Sequence, residues 1–390
     1  MPSYQNYSNT SWERTVHTTL VNHMREEEIE SFRSYLWLSV LGAKGRVLKN
    51  APRISVRNEF GESGAGFDWP VRYRNHDVEA NNGETPRNFA RKNLWQTAQL
   101  EYRGYQATDQ MYKKEFLENR GPEAVVRVFD KMADRLKESM QEKLATQFYI
   151  DGSATGNENC WHGLESMFAC TGTVNATTGA TRAANAADIV GYPDDTYAGL
   201  TTELADYGGS NSSGDVWPNG NADAGFDFWS PLVVNYTTTH ADLPGATNTW
   251  AGQGDEAMRY AIIHSQRNAS MNGQIDLVIL ARDMYFKLLN LIDDKERIVI
   301  TTTQELRAMG FKNVFNFDGV DITWDTGVSA GVGYGLNLQN IELRCLTDDL
   351  YDVEGPDYLI DDQSWRVVVS TLSNLRFQSP RNFFALKALA

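Results

Sequence analysis

Residues 121–150 read GPEAVVRVFDKMADRLKESMQEKLATQFYI. Gly121-Pro122-Glu123 is a helix start: proline is tolerated in the first turn, and the acid sits at the positive end of the macrodipole. Val125, Val128, Met132, Leu136, Met140, Leu144 and Phe148 then follow at steps of three and four, while Arg127, Lys131, Asp134, Lys137, Glu138, Gln141 and Glu142 occupy the opposite face. The spacing predicts one amphipathic helix over 122–150 with a single apolar stripe. At 1.5 Å per residue it is about 40 Å long, well beyond the usual three turns. Asp151-Gly152 stops it.

Upstream, residues 51–105 are dense in charge of both signs. Arg53, Arg57, Arg72, Arg74, Arg87, Arg91, Lys92 and Arg103 stand against seven acids. Trp69, Val71, Tyr73 and then Leu100, Tyr102 alternate with polar residues, and period-2 alternation predicts strands. The polar stretch with Asn81, Asn82, Gly83 and Pro86 between them predicts a long hairpin. A two-stranded ribbon is marginal alone in water, so it must lie on something, and a neighbouring subunit is a good candidate. Further upstream, residues 1–20 are polar and aperiodic and read as an arm. Asn22 then caps a helix carrying Ile29, Phe32, Leu36 and Val40 at helical spacing, ended by Gly42 and Gly45.

Downstream, residues 183–258 contain no Lys or Arg and eleven acids, and are rich in Gly, Asn, Ser and Thr. They read as exposed loops with packed patches such as Phe226, Phe228, Trp229, Leu232 and Val233. A helix over 258–266, a buried strand over 275–281 and a short helix with Met284, Tyr285, Leu288, Leu289 and Ile292 predict a layered α/β unit. Ile341, Leu343 and Cys345 alternate as a strand, and 365–369 is a second. No internal repeat is visible.

The 390 residues are 41% hydrophobic, enough for a real core in two or three domains. The net charge is −15, the wrong sign for a general nucleic-acid binder. Cys160, Cys170 and Cys345 read as reduced thiols. No signal-peptide pattern opens the chain, and its best apolar stretch, 36–43, is far too short to span a bilayer. The expectation is a soluble chain that is not exported.

Candidate chemistry is sparse. Cys160, His162 and Cys170 offer three zinc ligands without an evident fourth, so buried thiols and a satisfied histidine are preferred. Asp215, Asn219, Asn221 and Asp223 alternate oxygen ligands in a loop but lack the closing bidentate glutamate of a calcium loop, so a solvated acidic loop is preferred. Gly331-Val332-Gly333-Tyr334-Gly335 has neither a following helix signal nor a lysine, and reads as a mobile loop rather than a phosphate cradle. The pairs Asp194-Asp195, Asp293-Asp294, Asp348-Asp349 and Asp361-Asp362 are sequence neighbours that cannot face each other across a cleft. No catalytic, cofactor-binding or metal residue is expected.

The order of these features resembles the Hong Kong 97 type capsid fold, which builds the heads of tailed double-stranded DNA bacteriophages. Local text agrees. WQTAQLEYRGYQATDQMYKKEFLENR (95–120) is similar to the descent from an extended loop to the long helix. Phe148-Tyr149-Ile150-Asp151-Gly152 with Trp161-His162-Gly163-Leu164 is similar to the exit from it. GYPDDTYAGL (191–200) looks like one branch of such proteins, and SPRNFFAL (379–386) like the final strand. The resemblance covers nearly the whole chain and rests on the order of elements more than on any one motif.

The resemblance implies an α+β subunit with an N-terminal arm and helix (1–50) and an extended β-hairpin loop (51–105). A peripheral domain (106–154 and 336–375) would hold the spine helix 122–150, and an α/β axial domain (155–335 and 376–390) would carry an acidic insertion near 200–250. It implies a major capsid protein forming pentamers and hexamers around DNA, with no enzymatic activity and no cofactor. Partners would be further copies of itself, a separate scaffolding protein, a portal protein, a possible decoration protein and packaged DNA by proximity, with no membrane. The subunit would be built in the host cytoplasm and reside in the virion. Trp69, Arg72, Arg74, Trp95 and Arg103 are the expected intersubunit contacts. An encapsulin-type nanocompartment shell is the alternative of the same fold, and an acidic hydrolase the remote one.

Overall fold

The computed structural model describes residues 57–59, 64–72, 83, 89, 95–114, 122–168, 190–191, 196–202, 229, 231–237, 248–266, 274–295, 315–347 and 350–388. The arm and helix expected over 1–50, the distal hairpin with Arg74, the calcium candidates and Cys170 lie outside these residues.

In chain order, β1 (Arg57–Glu59) is followed by β2 (Gly66–Arg72) and β3 (Trp95–Glu101), which pair antiparallel from Gly66↔Glu101 to Arg72↔Trp95. Strand β4 (Arg103–Tyr112) leads toward the long helix α1 (Pro122–Gln147). Short strands β5 (Val190–Gly191), β6 (Thr196–Tyr197), β7 (Leu200–Thr201) and β8 (Leu232–Asn235) precede α2 (Trp250–Ser265), β9 (Leu277–Ala281) and α3 (Arg282–Lys295). Then come β10 (Phe315–Phe317), β11 (Val320–Asp325), β12 (Gly333–Leu336), β13 (Ile341–Cys345), β14 (Asp352–Leu359), β15 (Ser364–Phe377) and β16 (Phe384–Lys387).

The helix α1 has 26 residues and is about 39 Å long. Its stripe is buried at Met132, Leu136, Met140, Leu144 and Phe148. It ends at Gln147, three residues short of the expected boundary, because the chain returns onto its last carbonyls. Leu164 N donates to Phe148 O at 2.7 Å, and a Cβ at Gly163 would lie 2.5 Å from the carbonyl oxygens of Phe148 and Ile150.

Two sheets share the core. In the first, the 14-residue β15 carries β4 along one edge, from Arg103↔Ser373 to Tyr112↔Ser364. Strands β13 and β14 succeed one another along its other edge, and β1 adds in parallel to β13. Met111, Val367, Val369, Thr371 and Ser373 are buried on the face beneath α1. Tyr105 Oη donates to Gln147 Oε1 at 2.8 Å across that contact. The opposite face exposes Gln106, Thr108, Gln110, Tyr112 and Leu372. Sequence reading placed a strand only over 365–369. The longer β15 exists because three strands pair along it: the adjacent β14, β13 just upstream, and the distant β4.

The second sheet has the order β10-β11-β9-β12-β16-β8-β5. Its centre, β9, β12 and β16, is buried throughout, as continuous apolar runs require when both faces are covered. Helix α2 is fastened to α3 by Trp250, whose Nε1 donates to Met284 O at 2.8 Å. Here the reading of Gly331–Gly335 as a mobile loop is corrected: Gly333–Leu336 is a central strand between β9 and β16. The glycines admit neighbouring side chains. A Cβ at Gly335 would lie 2.1 Å from the Phe384 ring, and one at Gly333 2.5 Å from Leu280 Cδ2. Replacing Gly335 by alanine should therefore cost roughly 2–3 kcal/mol through overpacking. Chemical denaturation would show it as a lower midpoint at unchanged slope.

Candidate intersubunit surface

The alternation in the hairpin sorts its residues into two faces. Phe67, Trp69, Val71, Ala98 and Leu100 point inward and are buried, whereas Asp68, Pro70, Arg72, Trp95, Thr97, Gln99 and Glu101 are exposed. Thus β2 and β3 form a stem seated on the subunit's own chain. This revises the expectation that the whole ribbon needs a neighbour.

It also separates the five expected contact residues. Trp69 is only 4% exposed. Its Nε1 donates to Gln378 O at 3.2 Å, its ring lies 5.3 Å from the Arg376 guanidinium carbon, and Tyr197 is 6.4 Å away, centroid to centroid. Arg103 turns inward as well. Its Nη1 donates to the carbonyls of Gly152 at 2.6 Å, Asn157 at 3.2 Å and Cys160 at 2.7 Å, gathering the loop that follows α1. Trp69 and Arg103 thus make their contacts within the chain itself. The physical reason is that Trp69 lies on the inner face of the stem, over β15, while Arg103 opens β4 in the first sheet and is drawn to the carbonyls of the loop after α1. Arg74 lies outside the described residues. Arg72 and Trp95 are brought together as register partners at the open end of the stem, and Trp95 is 55% exposed. With Pro70 they make an aromatic, apolar and cationic patch on the outer face.

Residues that sequence reading missed hold the stem in place. Glu342 accepts from Arg344 and Arg376, each at 3.0 Å, and all three side chains are nearly buried. Glu342 and Arg376 are cross-strand partners separated by more than thirty residues, so no local pattern announces the pair. Tyr197, inside the quoted 191–200 stretch, is fully buried, and its hydroxyl accepts from Phe377 N at 2.9 Å. Burial raises its pKa, as it does those of Tyr149 and Tyr334, so all three serve as neutral hydroxyls. Tyr149 Oη donates to Asp325 at 2.6 Å. Tyr334 Oη donates to Glu165 at 2.6 Å, and Glu165 also holds Lys387. Apart from Glu342–Arg344, which lies within one strand, these pairs join segments distant in sequence.

No group of three or more His, Cys, Asp or Glu side chains among the described residues could hold a metal ion. His162, a zinc candidate, is buried, and its backbone N donates to Asn374 Oδ1 at 3.0 Å. Burial, reinforced by the Arg103 charge, pushes its imidazole down to about 4 from 6.5. The unfolded chain therefore binds a proton that the native state excludes. The associated stability is fully present above pH 6.5 and declines as pH falls toward 4. At full extent the loss is roughly 3 kcal/mol. Denaturant melts between pH 7 and 4 should show this fall, and His162→Phe should flatten that part of the profile.

No described helix is long and apolar enough to cross a membrane. No known family profile and no curated protein matches the chain by sequence. Solved structures do match. The capsid of a native GTA particle superposes with a TM-score of 0.52 at 9% identity, covering 86% of this chain and 89% of that one. The capsid asymmetric unit of cyanophage A-1(L) gives 0.52 at 13% identity, covering 86% and 90%. The helix-backed sheet, the buried seven-stranded sheet and the hairpin stem thus form an α+β subunit with the Hong Kong 97 type capsid fold.

Proposed function

We propose that this chain is the major capsid protein of a tailed bacteriophage, a structural subunit without enzymatic activity that assembles into pentamers and hexamers of an icosahedral shell around DNA. The observation that carries this reading is the shared fold: two capsid structures follow the chain over 86% of its length. The helix-backed sheet would be the peripheral domain and the seven-stranded sheet the axial domain. The strands shift the expected division slightly, since β12 belongs to the second sheet and β15 runs to Phe377. The division then falls at 337–340 and 378–383.

The contact surfaces follow from exposure and charge. The outer face of the stem presents Arg72 and Trp95. Beyond it, residues 73–94 carry Arg74, Arg87, Arg91 and Lys92 against Asp77, Glu79 and Glu84. The open face of the first sheet ends in the exposed Asp352, Glu354 and Asp357 of β14. A hairpin of nearly balanced charge, in a chain of net charge −15, suits contact with an acidic sheet margin on a neighbour. A chain of net charge −15 also lines a shell without gripping the phosphates inside it. Assembly would draw on a separate scaffolding protein, a portal protein at one vertex and, in some shells, a decoration protein.

Light scattering and negative-stain microscopy of the purified protein, expressed with and without its neighbouring genes, test the reading. Closed shells or rings of five and six are expected. A stable monomer under every condition would overturn the capsid assignment. An enclosed enzyme in place of DNA would point to a nanocompartment. Deleting 74–93, which spares the buried stem, should leave a folded subunit that forms no closed shells. Normal shells from that variant would overturn the assignment of the hairpin.

A further inference from the structure

The stem is held by polar contacts as well as by burial. Gln99 N donates to Ala198 O at 3.0 Å. Asn374 Nδ2 donates to Glu101 O at 2.8 Å. Trp69 Nε1 reaches Gln378 O. Two of these three contacts end on β15 or the residue after it, and the third on the β6–β7 turn. At the root, a Cβ on Gly66 would lie 2.5 Å from Leu100 O, so the absence of a side chain lets the two strands close there.

Trp69 does more than fill space. Beneath it Glu342 carries one negative charge between two arginines, nearly shielded from water. The electron-rich face of the indole covers the Arg376 member of that triad. Lifting the stem would uncover the Glu342–Arg376 pair and remove the ring from a cation. It would also strip the indole N–H of its acceptor and expose Phe67, Trp69 and Val71. These losses fall together, so the seat is cooperative. The buried pattern stops at the Arg72↔Trp95 pair, where the outer face carries a half-exposed tryptophan.

We infer that Trp69, seated on Arg376 and Gln378, is a latch that sets the direction of the hairpin stem in the free subunit, before any neighbour is met. The inference rests on the capsid reading for its purpose, since a preset stem lowers the ordering cost of each new contact in assembly. It assigns Trp69 a positioning role within the subunit and leaves the contact itself to the outer face.

The test is hydrogen exchange on the full-length protein, in the unassembled fraction separated by size, paired with assembly kinetics followed by light scattering. In Trp69→Ala the amides of 67–71 and 96–100 should exchange at least about tenfold faster than in the wild type, while β15 and α1 keep their protection. Shell formation should slow by a similar factor. Trp69→Phe keeps the ring, loses the N–H and should fall between the two, and it decides the matter if the alanine variant does not fold. Equal stem exchange in wild type and variant, or fast stem exchange already in the wild type, overturns the latch. So does an unchanged assembly rate in Trp69→Ala. If the wild type forms no shells under any condition, the capsid reading fails, and the exchange comparison still decides whether Trp69 seats the stem.

Discussion

Phe377, the last residue of β15, is where the parts of this subunit meet. Its ring lies 6.2 Å from Phe148 at the end of the long helix, 5.9 Å from Tyr197 and 5.6 Å from Phe383 at the entry to the second sheet. From Tyr197 the rings continue to Trp69 and Phe67 in the stem, and from Phe148 to Tyr149 and Tyr334 in the second sheet. Aromatic pairs of this kind contribute ~0.5–1.5 kcal/mol beyond their burial. More important here, flat rigid rings fix angles between the elements that carry them. This chain of rings passes through both sheets, the end of the long helix and the stem, and so sets the angles between them.

Around the rings, several buried polar groups are matched to partners from distant parts of the chain. Asp325 receives the Tyr149 hydroxyl, Glu165 receives Tyr334 and Lys387, and Glu342 receives two arginines. Buried ion pairs contribute little net stability, because desolvation offsets most of the attraction. Their effect is specificity: leaving one partner unmatched costs far more than the pair gains. They therefore act on register and orientation, the same properties the rings control. Arg103 shows this on a smaller scale, since three carbonyls of one loop converge on a single guanidinium nitrogen.

Much of the fold was legible because it is written in local period. The steps from Val125 to Phe148 predicted α1 within three residues, and the alternation around Trp69 and Leu100 predicted the paired strands β2 and β3. What failed did so for one reason. Gly331–Gly335 looked like a loop because glycine lacks any pattern of its own; it is a central strand because Phe384 and Leu280 need the space that a Cβ would fill. The expected contact residues were read as a set because all are aromatic or basic and sit in one hairpin. Pairing then divided them, sending Trp69 and Arg103 inward and leaving Arg72 and Trp95 outside. Glu342 and Arg376 carried no signal, since each is unremarkable until the other lies opposite it.

By itself, the sequence determined the long helix α1, the paired strands of the stem, the helix–strand–helix series around β9, and where the charge lies. These follow from backbone preference and hydrophobic period, which act over a few residues. Only the tertiary structure decided which face of the stem is buried, how far β15 extends, and which tryptophan is an internal anchor and which an exposed one. Those outcomes depend on strands brought together from positions hundreds of residues apart, and no local property of either partner encodes the meeting.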